Sequence, residues 1–318
     1  MREGLDTSAL IALPKRPASG HKGTFGRVAI VGGSAGNTRA ISAAGDTSSE
    51  PTMLGAPALA GLAALRAGCG LCTLVVPQPL VTSTLALCPS AVGVGLPVDA
   101  SGHLERGEST RVMEAATRSC DALAIGPGLG KSEHVAQLVV RALQREDVAV
   151  VIDADAINAM ARIPELFRDF RAPAVLTPHP GEFARLAEAL GISLDPITPA
   201  TRPSAAAGLA QRLGCIVVLK GAGTCVSDGH RTWVCARGSP SLATAGTGDV
   251  LTGLLASLIG QHVASGGTLA RLYDLARLAV EAHACAGEAW ANARNATGGM
   301  LATELCEQLP SVLEGFRR

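Results

Sequence analysis

A glycine-rich turn that runs directly into an apolar helix is the stretch of this chain best suited to chemistry. It reads Ala-Thr-Ala-Gly-Thr-Gly-Asp at 243–249, and the apolar residues of 250–259 then recur with the 3.6-residue period of a helix. The first amides of a helix have no intrahelical partner and lie at the positive end of its dipole, so they can bind an anion. Glycine lets a phosphate approach the backbone without a Cβ in the way. Gly246, Thr247 and Gly248 are therefore predicted to form an anion hole.

Asp249 is the residue of this turn that an anion site does not explain, because its carboxylate repels a phosphate. Two interpretations are open on the local pattern. The carboxylate caps the helix, as Asp often does. Alternatively, it takes the proton from whatever group attacks the phosphate.

Two more carboxylates, Asp153 and Asp155, follow an apolar run at 148–152. At this spacing they could hold Mg²⁺ through water, because that ion prefers hard oxygen ligands and keeps several waters. They could also cap the helix that follows, and the pattern slightly favours capping. Gly-Pro-Gly-Leu-Gly at 126–130, after another apolar run, is equally open between a tight turn and a close approach of the backbone to a ligand.

His179 and Lys220 are basic side chains placed where apolar runs end. Prolines on both sides of His179 fix its backbone and present the ring in front of a predicted helix, which favours contact with substrate over a structural role. Lys220 follows the run at 215–219 and precedes Gly-Ala-Gly-Thr at 221–224. Its ammonium can reach a nucleotide phosphate as a point charge.

The elements that must position these residues form an α/β pattern. Short, continuously apolar runs are typical of strands buried on both faces of a parallel sheet, and they occur at 27–31, 71–76, 121–125, 148–152, 174–176 and 215–219. Helices are predicted at 57–67, 132–144, 181–190, 204–213, 250–259, 268–290 and 301–313. Asp228-Gly229 predicts a hairpin between 224–227 and 231–235. Open parallel sheets bind ligands at the carboxyl ends of their strands, which is where the groups that follow the apolar runs lie.

The predicted fold class is three-layer α/β, with a mostly parallel central sheet and helices on both faces. No linker, repeat or shift in composition divides the chain, so we expect one domain over 1–318 with an N-terminal extension at 1–20. The small polar residues of 37–52 predict a mobile surface loop.

Composition excludes several classes of function. The 27 basic and 27 acidic residues cancel and form no basic stripe, which argues against nucleic acid or a membrane surface as partner. No apolar run is long enough to cross a bilayer and no secretory signal is visible, so a cytoplasmic protein is expected. The nine scattered cysteines indicate a reduced chain, and Cys69-x-x-Cys72 is interpreted as core packing rather than a redox or metal site. An alanine-rich chain with 3% aromatics would suit a homo-oligomer, for instance a tetramer.

Taken in order, the motifs resemble those of the ADP-dependent NAD(P)H-hydrate dehydratase family, whose fold is ribokinase-like (carbohydrate-kinase-like). They are His-Lys-Gly-Thr-Phe-Gly at 21–26, Gly-Ala at 55–56, the glycine turn at 126–130, Asp-Ala-Asp-Ala-Ile-Asn at 153–158, Leu-Thr-Pro-His-Pro-Gly-Glu at 176–182, Lys-Gly-Ala-Gly-Thr at 220–224 and Ala-Gly-Thr-Gly-Asp at 245–249. The similarity runs from about Lys22 to the end of the chain. The segment at 37–52 is longer than the stretch that members of the family usually have before the helix that contains the Gly-Ala pair.

The resemblance implies a repair enzyme, a hydro-lyase that removes water from the S-epimer of hydrated NADH or NADPH. ADP is consumed in the reaction and gives AMP and phosphate, with Mg²⁺ as cofactor. By matching position, the hydrated dinucleotide would contact Ala56, Gly128, His179 and Asp249. The nucleotide would contact Lys220, Gly221, Ala222, Gly223, Thr224 and Gly248. An epimerase that interconverts the two hydrate epimers would be a separate protein, since about 20 residues precede His21.

In that reaction Asp249 would orient the hydroxyl of the hydrate as it attacks the β-phosphate of ADP. An aspartate with an ordinary pKa of about 3.9 is a weak base for an alcohol. Its contribution would therefore be positioning and late acceptance of the proton, as with the aspartate of kinases. The alternative is a ribokinase-like kinase of a vitamin precursor, which would use the same aspartate and release a phosphate ester. An intact Asp249 argues against a silent nucleotide-binding protein. The choices between ADP and ATP, and between NADH hydrate and NADPH hydrate, stay open.

Overall fold

The strands of the protein form one sheet that carries the site at one edge. The structure, a computed structural model, describes residues 5–36, 51–163, 165–166 and 170–317. Within these, the sheet has the strand order β3-β2-β1-β4-β5-β6-β7-β8-β9. The strands are β1 (Arg27–Val31), β2 (Leu71–Pro77), β3 (Val92–Leu96), β4 (Ala122–Ile125), β5 (Ala149–Ile152), β6 (Ala174–Leu176), β7 (Ile216–Leu219), β8 (Cys225–Ser227) and β9 (Thr232–Val234).

Strands β1 to β7 are parallel, and β8 and β9 add an antiparallel hairpin at one end. The six predicted buried strands are confirmed to within one residue at each end, and so is the hairpin. β3 was not predicted. It lies at the opposite edge of the sheet and reads Val-Gly-Val-Gly-Leu, and its two glycines weaken the strand pattern.

Helices cover both faces of the sheet. They are α1 (Gly55–Arg66), α2 (Val81–Leu87), α3 (Glu108–Thr117), α4 (Glu133–Leu143), α5 (Asp155–Met160), α6 (Pro180–Ala189), α7 (Arg202–Leu213), α8 (Thr247–Ala264), α9 (Leu272–Arg294) and α10 (Ala302–Glu314). One buried apolar cluster joins the sheet to α1, α8, α9 and α10, and a second joins its other face to helices α3 to α7. This confirms the three-layer α/β fold. Helices α2, α3 and α5 were not predicted.

Helix α8 carries Asp249 and is buried on nearly all sides. It packs on α1 so closely that a Cβ at Gly253 would collide with the backbone of Ala60. Small residues on both helices allow this approach, which explains why an alanine- and glycine-rich chain builds a dense core with few aromatic residues. The position of Asp249 is therefore fixed by the core rather than by a surface loop.

The part of the predicted N-terminal extension that the structure describes is packed against the domain. The side chain of Leu13 is buried and its amide donates to the carbonyl of Phe316, while the hydroxyl of Tyr273 donates to Asp6 at 2.9 Å. The predicted loop at 37–52 lies, from 37 to 50, outside the described residues. Cys69 and Cys72 are free and buried, which confirms core packing. No helix among the described residues combines the length and apolar character that a bilayer crossing needs.

Candidate active site

The predicted site residues converge at the carboxyl edge of the sheet. The 126–130 turn follows β4, Asp153 follows β5, the segment at 177–182 follows β6 and Lys220 follows β7. Helix α8 begins beside them, since a Cβ at Gly248 would lie 3.5 Å from Lys220 Nζ. Strand ends that are far apart in the sequence thus meet in one cluster, as the parallel sheet predicts.

Asp153 lies at the centre of this cluster and is only 1% exposed. Its Oδ1 accepts from Lys220 Nζ at 2.6 Å and from the hydroxyl of Thr177 at 2.7 Å, and its Oδ2 accepts from the hydroxyl of Thr252 at 2.7 Å. Burial raises the pKa of this carboxyl, but Lys220 and the two hydroxyls outweigh burial and hold the pKa below its usual value. Asp153 therefore stays ionised and ties β5, β6, β7 and α8 together.

The interpretation of Asp153 and Asp155 as helix caps is wrong. The N-cap of α5 is Ala154, and no side chain caps that end of the helix. Asp155 instead accepts the amide of Gly130 at 2.9 Å and so fixes the 126–130 turn. The reason is tertiary, because residues distant in the sequence supply donors that compete with the local helix amides.

The two aspartates do not form a metal site by themselves. Among the described residues, no group of three or more His, Cys, Asp or Glu side chains is arranged to hold a metal ion. Both oxygens of Asp153 are already bonded, one of them to an ammonium. A magnesium ion at this edge would need most of its oxygen ligands from water or from a bound phosphate.

Asp249 lies in the first turn of α8 and does not cap it, since the N-cap is Gly246 and has no side-chain bond. Burial and the nearby charge of Asp153 raise the pKa of Asp249 to about 7, with Lys220 opposing them. The ordinary pKa assumed from the sequence is therefore wrong for this residue. A carboxylate with a pKa near 7 is a far better base for a hydroxyl than an exposed aspartate.

Lys220 is the cation shared by the carboxylates of the site. Burial disfavours its charge, but Asp153 and Glu182 outweigh burial, so the pKa of Lys220 lies above its usual value. Its Nζ is 3.9 Å from Glu182 Oε2. The ammonium is thus anchored on Asp153 and reaches towards the first turn of α8 rather than extending freely into solvent.

His179 and Glu182 form a pair at the start of α6. His179 is the N-cap of that helix: its Nδ1 accepts from the amide of Gly181 at 3.0 Å, and its own amide donates to Glu182 Oε2 at 2.9 Å. Its Nε2 lies 3.3 Å from Glu182 Oε1, and half of the ring is exposed. Burial, Lys220 and Arg185 lower the pKa of His179, so the ring is neutral at pH 7. Burial raises the pKa of Glu182 to about 7.

Of the three residues predicted to form the anion hole (Gly246, Thr247 and Gly248), Gly248 has a free amide, and so does Asp249, which was not part of that prediction. Among the described residues, neither of these amides has a hydrogen-bond partner, and the amide of Thr247 makes only a 3.4 Å bond to the carbonyl of Thr244. Gly246 has a φ of +91°, a conformation that glycine adopts without strain. His283 Nε2 donates to the carbonyl of Thr247 at 2.8 Å and holds the turn from behind.

The segment 220–224 folds back on itself as a turn. The amide of Gly221 donates to the hydroxyl of Thr224 at 3.3 Å, and this hydroxyl donates to the carbonyl of Gly221 at 2.9 Å. Gly221 and Ala222 are exposed, and Gly223 has a φ of +67°. The turn therefore presents its backbone to solvent beside the ammonium of Lys220.

Ala56 and Gly128 are neighbours, as residues that contact one ligand should be. A Cβ at Gly128 would lie 3.3 Å from the Cβ of Ala56, and the φ of Gly128 is +65°. The motif at 21–26 is instead remote from the site. It forms a capped turn before β1 and packs on the far half of α8, where a Cβ at Gly26 would meet the backbone of Gly260. Its described contacts support the packing of β1 and α8.

Sequence reasoning assigned no role to five residues that shape the site: Thr177, Glu182, Arg202, Thr252 and His283. Glu182 had a local signal, because an acidic residue three positions after an N-cap is typical of a capping box. The others act across long separations, such as the 99 positions between Thr252 and Asp153. A single sequence holds no signal for such contacts.

Comparison with known proteins gives a family match over most of the chain. The sequence model described as NAD(P)H-hydrate dehydratase matches residues 49–311. The ADP-dependent (S)-NAD(P)H-hydrate dehydratase of Xanthomonas campestris is 35% identical, over 98% of this chain and 96% of that protein. The bifunctional NAD(P)H-hydrate repair enzyme Nnr of Moorella thermoacetica is 38% identical over 96% of this chain. The chain spans about half the length (52%) of this bifunctional relative.

Solved structures agree with the sequence matches. The ADP/ATP-dependent NAD(P)H-hydrate dehydratase of Bacillus subtilis, co-crystallised with ATP and Mg²⁺, has a TM-score of 0.69 and 29% identity, over 96% of this chain and 95% of that one. A ribokinase-like superfamily protein of Enterococcus faecalis has a TM-score of 0.71 and 24% identity, over 96% and 93% of the two chains. That likeness confirms the ribokinase-like fold. With a family match over 49–311 and a relative of nearly equal length at 35% identity, this chain belongs to the NAD(P)H-hydrate dehydratase family.

Proposed function

We propose that this protein removes water from hydrated NADH or NADPH and consumes ADP in doing so. The observation that carries the proposal is the start of α8, where the amides of Gly248 and Asp249 are free among the described residues and a Cβ at Gly248 would lie 3.5 Å from Lys220 Nζ. In the same turn, burial and the charge of Asp153 raise the pKa of Asp249 to about 7. A base beside two amide donors and a cation is the arrangement that transfer of a phosphoryl group to a hydroxyl requires.

In the first step the hydroxyl of the hydrate attacks the β-phosphorus of ADP. The new oxygen–phosphorus bond forms as the bond to AMP breaks, and the hydroxyl proton passes to Asp249. The amides of Gly248 and Asp249, together with the ammonium of Lys220, stabilise the charge that develops on the phosphoryl oxygens. Removal of one such preorganised donor typically costs about 3 kcal/mol of transition-state stabilisation.

In the second step the lone pair of the ring nitrogen expels phosphate, and a proton leaves the neighbouring ring carbon to restore the double bond. We assign this proton to the pair of His179 and Glu182. His179 is neutral, half-exposed and able to accept at Nδ1 once the amide of Gly181 releases it. Glu182 lies 3.3 Å behind Nε2 and would stabilise the imidazolium.

We assign the binding roles from the positions that match the family's motifs. The turn at 220–224 would receive the nucleotide, while Ala56, Gly128 and His179 would contact the hydrated ring. We infer that Mg²⁺ arrives on the nucleotide phosphates, because the described carboxylates do not form a metal site alone. Phosphate-bound Mg²⁺ would neutralise part of the charge that the transferred group carries.

We also propose which epimer of the hydrate is the substrate and how it is supplied. The substrate epimer is S, as in the name of the Xanthomonas relative, and an epimerase would supply it from the other epimer. A homo-oligomer and a cytoplasmic location stay predictions, and light scattering of the purified protein tests the first of them.

The deciding experiment incubates the protein with ADP or ATP and chemically hydrated NADH or NADPH. Recovery of the near-ultraviolet absorbance of the reduced nicotinamide, with release of AMP from ADP, is the expected result. The rival function is a kinase of a vitamin alcohol. No recovery with either nucleotide, together with phosphorylation of a thiazole or pyridoxal alcohol, would replace the dehydratase by that kinase.

A further inference from the structure

Arg202 is a buried cation that lies directly beneath the 220–224 turn. It is the first residue of α7 and is only 4% exposed. Its Nη1 donates to the carbonyl of Pro196 at 2.8 Å, and its Nη2 donates to the carbonyls of Leu219 at 2.9 Å and Lys220 at 3.1 Å. The guanidinium therefore binds the backbone at the end of β7, where the turn begins.

Among the residues that the structure describes, Arg202 forms no ion pair, because no carboxylate oxygen lies within about 4 Å of its guanidinium. Its Nε is also buried without a hydrogen-bond partner. Arg277 is 1% exposed and its Nε also lacks a partner, but it differs from Arg202 in its counter-charges, with Asp6 at 3.2 Å and Asp274 at 3.8 Å from its Nη1. A buried charge without a counter-charge is costly for a folded protein, so an anion bound nearby would be stabilised by it.

The guanidinium lies on the inner side of the turn, and the opposite side of the same backbone is exposed to solvent. A Cβ at Gly221, whose φ is +143°, would lie 3.0 Å from Nη2 and 3.1 Å from Nη1. The carbonyl of Lys220 points inward to the guanidinium, so the amide of the same peptide unit, that of Gly221, points away from it towards Thr224 Oγ1. Arg202 thereby fixes the orientation of the peptide unit between Lys220 and Gly221, whose amide is bonded within the turn, and places a positive charge behind the turn.

We propose that Arg202 is a positioning residue that makes the 220–224 turn select a phosphate-bearing nucleotide over the uncharged nucleoside. The inference rests on the proposed function, in which this turn receives ADP. A charge attracts an anion across a low-dielectric interior more strongly than across water, whereas it has no comparable effect on adenosine. The carbonyl bonds fix the shape of the turn, and the charge sets its preference for phosphate.

Two variants of Arg202 separate the effect of its charge from the effect of its hydrogen bonds on the shape of the 220–224 turn. Arg202→Gln keeps an amide donor for the carbonyls but removes the charge, and Arg202→Lys keeps the charge but loses the planar fork. Arg277→Gln is the matched control, because it removes an equally buried guanidinium that touches no residue of the turn. Titration calorimetry measures the Kd of ADP and of adenosine for each, and thermal melting reports folding.

We expect Arg202→Gln to weaken ADP binding by at least about 10-fold and adenosine binding by less than about 2-fold, a difference that corresponds to one buried charge acting at short range. Arg202→Lys should keep ADP binding within about 3-fold on the same argument. The control should lower the melting temperature without changing either Kd.

Three results would overturn the inference: equal loss of ADP and adenosine binding in Arg202→Gln, no loss of either, or loss of the preference for ADP in folded Arg202→Lys. If Arg202→Gln does not fold, Arg202→Lys decides alone. Failure of the wild-type protein to bind ADP would instead contradict the proposed function, so the two failures are distinguishable.

Discussion

The ammonium of Lys220 is held 2.6 Å from Asp153 Oδ1, and this ion pair sets the charge balance of the candidate active site. Because Asp153 is buried and ionised, it takes most of the neutralising effect of the lysine. Burial, together with the charge of Asp153, raises the pKa of Glu182 and the pKa of Asp249 to about 7, although Lys220 opposes both shifts. The site thus contains one permanent carboxylate and two that change charge near neutral pH.

The first prediction concerns the pH dependence of turnover. Asp249 accepts a proton only when ionised, so kcat/KM should rise with pH through about 7, the raised pKa of that carboxyl. Glu182→Gln removes a negative neighbour that contributes to the raised pKa, and the rise should then move to lower pH. A profile recorded from about pH 5 to 9 tests this. A rise in the pH range of an ordinary aspartate would show that burial does not tune Asp249.

A second prediction joins stability to function. A carboxyl whose pKa is raised in the folded state stabilises the protein below its unfolded value, near 3.8 for Asp249, and this stabilisation is lost as pH rises through about 7. Asp249→Asn should therefore melt at a higher temperature than wild type at pH 8, with a smaller difference at acidic pH. It should bind ADP normally and lose at least about 100-fold in kcat. Normal turnover in this variant would remove Asp249 from the role of base.

The sheet could be predicted from the sequence because its strands are buried on both faces and show as unbroken apolar runs. The start of α8 was predicted for a similar reason, since a glycine turn and a helical period adjoin there. Helix α5 has only six residues and β3 contains two glycines, so neither makes a pattern long enough to detect. The motifs also indicated the edge of the sheet at which the site lies.

The electrostatics of the site could not be predicted in this way. Lys220 and Asp153 are 67 positions apart, and their contact depends on the order in which β5, β6 and β7 lie in the sheet. The sequence therefore indicated an ordinary pKa for Asp249 and a Lys220 side chain free to reach a phosphate. The fold instead buries both groups and couples their charges.

The third prediction tests Asp153 as the anchor of Lys220. Asp153→Asn leaves the buried ammonium of Lys220 without its nearest counter-charge. Breaking a buried ion pair typically costs about 3–5 kcal/mol of the free energy of unfolding. Thr252→Val, which removes one hydrogen bond to the same carboxylate, should cost about 1 kcal/mol. Urea unfolding measures both. Similar, small losses in the two variants would mean that the ion pair does not organise the site.

The fourth prediction separates the two glycines of the anion turn. A methyl group at Gly248 meets only Lys220 Nζ at 3.5 Å, so Gly248→Ala should fold normally but crowd the phosphate and weaken ADP binding. At Gly246 the φ is +91° and a Cβ would lie 2.7 Å from Leu59 Cδ1. Gly246→Ala should therefore lose about 1–2 kcal/mol or more of stability. Melting curves and calorimetric titration with ADP measure both effects. Unchanged ADP affinity in Gly248→Ala would place the phosphate elsewhere.

In the proposed reaction, the hydroxyl of the hydrate is first phosphorylated, with Asp249 as the base. Its oxygen then leaves as part of inorganic phosphate. The most direct measurement uses hydrated NADH that carries heavy oxygen in this hydroxyl, together with unlabelled ADP, and follows the label by mass spectrometry of the products. The account predicts the heavy oxygen in the inorganic phosphate, in step with recovery of NADH. Heavy oxygen in water, with unlabelled phosphate, would show that the protein expels water directly and would contradict the account.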